Sequence, residues 1–99
     1  MATYMILMKK TPEGVKQIKY WPESIEGAIE RFEALGGKLI GFYASSALYD
    51  FIGIGEGPDD ETAEQFRVLV ESWGMIDAQV IRLFTQEEYA NLIDAIELE

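Results

Sequence analysis

Between Ala47 and Glu61 the chain reads ALYDFIGIGEGPDDE, and this stretch constrains the fold more than any other. A turn leads into a run that is apolar on both sides, and a Gly-Pro pair ends it before an acidic helix start. A strand without a polar face needs cover on both faces. Lys38 to Ala44 and Tyr49 to Gly55 read as a β-hairpin joined by Ser45-Ser46-Ala47-Leu48. Centring the link on Ser46 sets Tyr43 opposite Tyr49, Gly41 opposite Phe51 and Leu39 opposite Gly53. Ile40 with Ile52 and Phe42 with Asp50 then share the other face, so both faces of the hairpin are mainly apolar. Gly41, under Phe51, and Gly53 and Gly55 mark places where a missing side chain lets a neighbouring element approach.

The remaining segments fall into a regular order. Ala2 to Lys9 is a β-branched, aromatic and Met-rich run that suits a central strand. Thr11-Pro12-Glu13-Gly14 is a turn or short helical start leading to Val15 and Ile18. Ile25, Ala28, Ile29, Phe32 and Leu35 keep the spacing of a helix with one buried stripe, and Gly36-Gly37 stops it. Pro22 fits the first helical position, which puts Trp21 at the cap. Tyr20 and Trp21 there cover a sheet edge or a partner subunit, or wall a ligand pocket. After Pro58 an aspartate cap opens a helix whose stripe is Ala63, Phe66, Leu69 or Val70, and Trp73, ending at Gly74. Ala78 to Phe84 is a fourth strand. Thr85 and Glu88 form a capping box before a last helix with Tyr89, Leu92, Ile93 and Ile96 on one stripe.

This order predicts an α+β, ferredoxin-like βαββαβ domain with an added C-terminal helix. The sheet is expected to be antiparallel in type, in the order 4-1-3-2, although the third strand is read as running parallel to the first. One domain covers residues 1–97, and Leu98-Glu99 reads as a cloning remnant. Right-handed crossovers place both main helices on one face of the sheet. The other face is still apolar, and one further helix cannot hide four strands. A second copy packing sheet to sheet is therefore expected, giving a homodimer of the α/β-barrel type or a higher oligomer.

Composition narrows the chemistry. Ninety-nine residues, 48% of them apolar, suffice for one core. No cysteine and no histidine occur, which removes thiolate nucleophiles, histidine general bases and the commonest metal and haem ligands. Neither a metal nor a cofactor is expected. Eighteen acidic against eight basic side chains give a formal charge of −10, which repels phosphate backbones and anionic lipid surfaces. The apolar run Tyr4 to Met8 is far too short to span a membrane. A cytoplasmic protein that binds no nucleic acid and no membrane is expected.

With the third strand parallel to the first, Asp50, Thr3 or Tyr4, and Arg82 are expected to gather at one edge of the sheet. Asp50 then accepts hydrogen bonds from Arg82, a tyrosine or loop amides, or serves as the polar anchor of a small ligand. Tyr4, Tyr43 and Tyr49 are candidate pocket walls, or a proton donor to a bound substrate. Together with Trp21 these are the candidate ligand-binding residues. Glu56, Asp59, Asp60 and Glu61 lack a calcium-loop pattern, and the glycines from Gly53 to Gly57 lack the lysine of a phosphate loop.

The segments MATYMILMKKTPEGVKQIK and PESIEGAIERFEALGGKLIGFYASSALYDFIGIGEGPDDETAEQF resemble GYD-domain proteins over nearly the whole chain. The resemblance rests on the Lys-Thr-Pro-Glu-Gly turn, the Leu-Gly-Gly-Lys helix end, and Tyr49-Asp50-Phe51 before Pro58-Asp59-Asp60. Leu48 stands where the name-giving glycine would be, and Trp21 where a cap-type residue is expected. The resemblance implies a dimeric α/β barrel and carries no established activity. A shorter likeness, a similar turn before a Tyr-Asp strand start, is to the ligand-sensing domain of the Lrp/AsnC regulators. A small-ligand-binding or interaction module is the leading expectation. A cofactor-free enzyme of oxygenase or isomerase type is the alternative, marked by a tyrosine and a desolvated carboxylate within hydrogen-bond reach in a cleft.

Overall fold

The computed structural model describes residues 1–97, and the reading of Leu98 and Glu99 as a cloning remnant lies outside them. In chain order the elements are β1 (Ala2–Lys10), α1 (Pro12–Lys16), a 3₁₀ turn (Ile18–Tyr20), α2 (Trp21–Ala34), β2 (Lys38–Ala44), β3 (Phe51–Gly57), α3 (Asp60–Glu71), β4 (Ile76–Leu83) and α4 (Gln86–Asp94). The strands form one sheet in the order β2-β3-β1-β4, the expected order read from its other edge. This is the ferredoxin-like α+β arrangement with an added C-terminal helix.

Every neighbouring pair of strands is antiparallel, which corrects the parallel reading of β1 and β3. The crossover through α2 returns the chain parallel to β1, and the hairpin then reverses it, so β3 must oppose β1. The hairpin register also differs. Ala44 pairs with Phe51, Tyr43 with Ile52 and Phe42 with Gly53, and a bulge falls between Leu39 and Gly41. Residues 45–50 are therefore loop. Asp50 is held from both sides: its carbonyl accepts from the Ser45 amide (2.8 Å), its amide donates to the Met8 carbonyl (2.9 Å) and its carboxylate accepts from the Lys10 amide (2.7 Å). Gly41 accordingly pairs with Ile54, and the Tyr43 side chain, not Phe51, lies where a Cβ on Gly41 would be.

Tyr4, Ile6 and Met8 of β1, Phe51, Gly53 and Gly55 of β3, and Ile76, Ala78 and Val80 of β4 share the face under the helices. Against them pack Phe66 and Val70 of α3, with Val70 almost fully buried. Trp21 is also a core residue. It lies 5.1 Å from the Phe51 ring and donates its indole N–H to the Gly14 carbonyl at 2.8 Å. Helix α2 starts at Trp21, one residue before the expected position, because burying this indole outweighs the missing side-chain cap at Tyr20.

The start of the helical layer is fixed by Thr11 and Gly14. Thr11 caps α1 by accepting from the Gly14 amide (3.1 Å), and its hydroxyl donates to the Gly74 carbonyl (2.7 Å). A Cβ on Gly14 would lie 2.1 Å from the Met75 carbonyl oxygen, so the loop between α3 and β4 rests directly on this glycine. At the far end of α2, Gly36 (φ 91°) and Gly37 close a Schellman motif with amides donating to Glu33 and Phe32. The Phe32 ring then settles over Gly55, where a Cβ would be 2.8 Å from a ring carbon. Gly53 is different: its nearest neighbours would be 3.8 to 3.9 Å from a Cβ, an ordinary contact. We expect Gly55→Ala to cost about 1 to 3 kcal/mol by overpacking, and Gly53→Ala to be neutral or stabilising by up to about 1 kcal/mol. Urea midpoints of the two variants check this difference in sign.

The opposite face carries Met5, Leu7, Ile52, Ile54, Ile81 and Leu83 across the three strands β3, β1 and β4. No helix of the described residues packs on it. Helix α4 does not: Tyr89, Leu92, Ile93 and Ile96 are each between 39 and 61% exposed, and the helix stands off the body. The chain is accordingly elongated, 55 by 29 by 20 Å.

Candidate functional site

The six candidate residues do not gather in one place. Asp50 sits at the end of β1, holding the Lys10 amide, while Arg82 lies at the opposite end of the sheet, paired with Tyr4. The antiparallel course of β3 separates them, and no Asp50–Arg82 contact exists. Tyr43 stands exposed on the edge strand, and Tyr49 reaches the open face to donate its hydroxyl to Gln79 Oε1 at 3.0 Å. Leu48 is in an exposed loop with ordinary φ, since no non-glycine residue described has a positive one. The glycine expected there is not required by backbone geometry in this chain.

What the fold does assemble is a cluster at the start of β1. Tyr4 lies buried beneath α3, and its hydroxyl donates to Asp60 Oδ1 at 2.5 Å. The Arg82 guanidinium lies 5.8 Å from the Tyr4 ring centre and 4.5 Å from that of Phe84. It makes two loose ion pairs, to Asp60 at 3.7 Å and to Glu88 at 3.6 Å. Asp60 and Glu88 belong to the first turns of α3 and α4, where acids suit the helix dipole in any case. That ordinary explanation hides them from sequence reasoning. Antiparallel pairing of β1 with both neighbours is the signal that brings the start of α3 and the end of β4 to Tyr4.

Burial pushes the Tyr4 phenol up to about 12, with its hydrogen bond to Asp60 acting in the same direction. The phenol therefore stays protonated as a donor. In the unfolded chain tyrosine ionises near 10, so between about pH 10 and 12 the unfolded state holds fewer protons and stability falls as pH rises. We expect a loss of up to about 1.4 kcal/mol per pH unit in that window and none from this group below it. The same pH series of urea midpoints should lose this slope in Tyr4→Phe.

Beside Tyr4 an apolar cavity of about 60 Å³ lies between the sheet and helices α2 and α3. Ile6, Ile25, Phe32, Phe42, Phe66 and Val80 surround it, with Gly53 leaving its floor open. The cavity exists because α2 rests on the sheet mainly through β2, and because Gly53 and Gly55 supply no side chains beneath it. Among the described residues no group of three or more acidic side chains gathers as a metal site, and no helix is long and apolar enough to cross a membrane.

The sheet order, the two helices on one face and the apolar cavity beneath them define a ferredoxin-like α+β domain. A family model, GYD domain, matches residues 4–93, and the chain belongs to the GYD-domain family. No curated protein and no solved structure matches it.

Proposed function

We propose that this GYD-domain chain is a small-ligand-binding module that works as a homodimer joined through its open sheet faces, in the manner of an α/β barrel. The observation that carries the reading is the two-sidedness of the sheet. One face holds an apolar strip with no covering element, and the other lies against an apolar cavity with a phenol and a guanidinium at its end. Of the six apolar side chains on this face Ile81 is exposed and the other five are half-buried, and completing their burial favours association, since each buried methylene is worth about 0.8 kcal/mol. The cavity suits a ligand of a few apolar heavy atoms, or a larger one if α2 shifts outward.

The Tyr4–Asp60 pair supports an anchoring role over an acid–base one. Asp60 is 76% exposed, so its carboxylate is not desolvated, and the raised phenol is not a base near neutral pH. NMR titration of the apo protein with xenon and with short branched alcohols tests the ligand reading. Shifts confined to Ile6, Ile25, Gly53 and Phe66, and lost in the cavity-filling variant Ala28→Leu, are expected. Unperturbed spectra with every probe would contradict it.

A further inference from the structure

The two ends of this molecule differ in charge and in exposed apolar surface. Residues 9–20, at the end of β1 and through α1 and the 3₁₀ turn, carry Lys9, Lys10, Lys16 and Lys19 against Glu13; Asp77 lies opposite Lys9 and the Asp50 carboxylate beside Lys10, so the basic excess of this end rests on the exposed Lys16 and Lys19, in a chain of −10. The same segment exposes Val15, Ile18 and Tyr20, each by more than half. At the other end, residues 84–97 carry Glu87, Glu88, Asp94 and Glu97 with no basic residue. Here lies α4, with Tyr89, Leu92, Ile93 and Ile96 uncovered.

Within one chain these surfaces cannot meet. β4 ends beside the start of β1, at Thr3 opposite Leu83, whereas α1 follows the end of β1. Two sheets can face each other with like ends together or with ends opposed. Like ends would place both acidic α4 segments at one end and both basic segments at the other, so that neither meets its complement. Opposed ends set each α4 against its partner's basic, apolar segment, where both charge and apolar surface are complementary.

We propose that in the dimer α4 of each copy docks on α1 and the 3₁₀ turn of the other, so that the two facing sheets lie with opposed ends. This rests on the sheet-paired dimer proposed above and fixes its orientation. The occupant of the α4 stripe is thus a second copy of this chain, and the contact continues the sheet interface through Ile81 and Leu83, which precede α4 on the open face.

The chain has no cysteine, so single-cysteine variants report the contact directly. Ile93→Cys and Ile18→Cys are mixed in equal amounts, exchanged, and treated with a short bismaleimide. The mixed cross-link should exceed the Ile93→Cys self-link by about tenfold or more. In Lys16→Glu/Lys19→Glu the mixed yield should fall by at least about threefold at low salt, with a smaller difference in high salt as the charges are screened. A dimer in which Ile93→Cys links mainly to itself, or in which the charge reversal changes nothing, overturns the docking while leaving the dimer standing. A single-chain mass in sedimentation overturns the dimer itself.

Discussion

Gly14→Ala should lose about 3 kcal/mol or more of stability, the largest effect of any single methyl group added to this chain. The added Cβ would lie 2.1 Å from the Met75 carbonyl oxygen and 3.2 Å from the Trp21 ring, so two independent parts of the fold resist it. A backbone carbonyl cannot swing aside as a side-chain tip can. Moving it also disturbs the Thr11 amide, which donates to that same oxygen at 3.1 Å. The requirement is one of space, because positive φ occurs among the glycines only at Gly36 and Gly74. Gly27 supplies the control: nothing lies within 4 Å of its Cβ position in α2. Gly27→Ala should therefore stabilise by about 0.5 to 1 kcal/mol through helix propensity. Chemical denaturation of the two variants should show opposite signs, and a Gly14→Ala midpoint equal to wild type would remove the account of this turn.

Leu7→Lys should break the proposed dimer while sparing the fold of the single chain. Leu7 lies on the central strand, between Ile52 on one side and Gln79 on the other, in the middle of the uncovered face. In a single chain that position is half-buried with no helix above it, and a lysine there can extend its ammonium into solvent. In a sheet-paired dimer two such ammonium groups are buried near the symmetry axis without partners. A rise in dimer dissociation constant of at least about 100-fold is expected, the range of a central interface residue. Far-UV circular dichroism should be unchanged.

Much of this architecture is legible in the residues. Asp59 caps α3 through the Thr62 amide at 2.8 Å, and Thr85 and Glu88 form the capping box before α4, both as their spacing predicts. The glycine stops at Gly36 and Gly74 are equally plain, since each adopts the positive φ that few other residues tolerate. Trp21 was harder to read. A tryptophan beside a proline at a helix start looks like surface cover, and its burial rests on long-range partners, the Phe51 ring against it and the Gly14 carbonyl that accepts its indole N–H. The hairpin register is not legible locally: the Ser45 amide donates to the Asp50 carbonyl, so the turn spans Ser46 to Tyr49 instead of centring on Ser46, and the Asp50 carboxylate is fixed by the distant Lys10 amide. The apolar stripe of α4 was legible as a stripe, but periodicity does not say whether its own chain covers it. Of the polar cluster, Tyr4 and Arg82 were visible as candidates on separate grounds, and Asp60 and Glu88 were not, because a helix start accounts for an acid without any partner.

The uncovered sheet face is the feature on which the functional reading depends, and sedimentation velocity addresses it most directly. At micromolar concentration the wild-type chain should sediment at twice its 11.2 kDa mass, and Leu7→Lys at the single-chain mass. A wild-type protein that stays fully folded and sediments at 11.2 kDa under the same conditions would contradict the account.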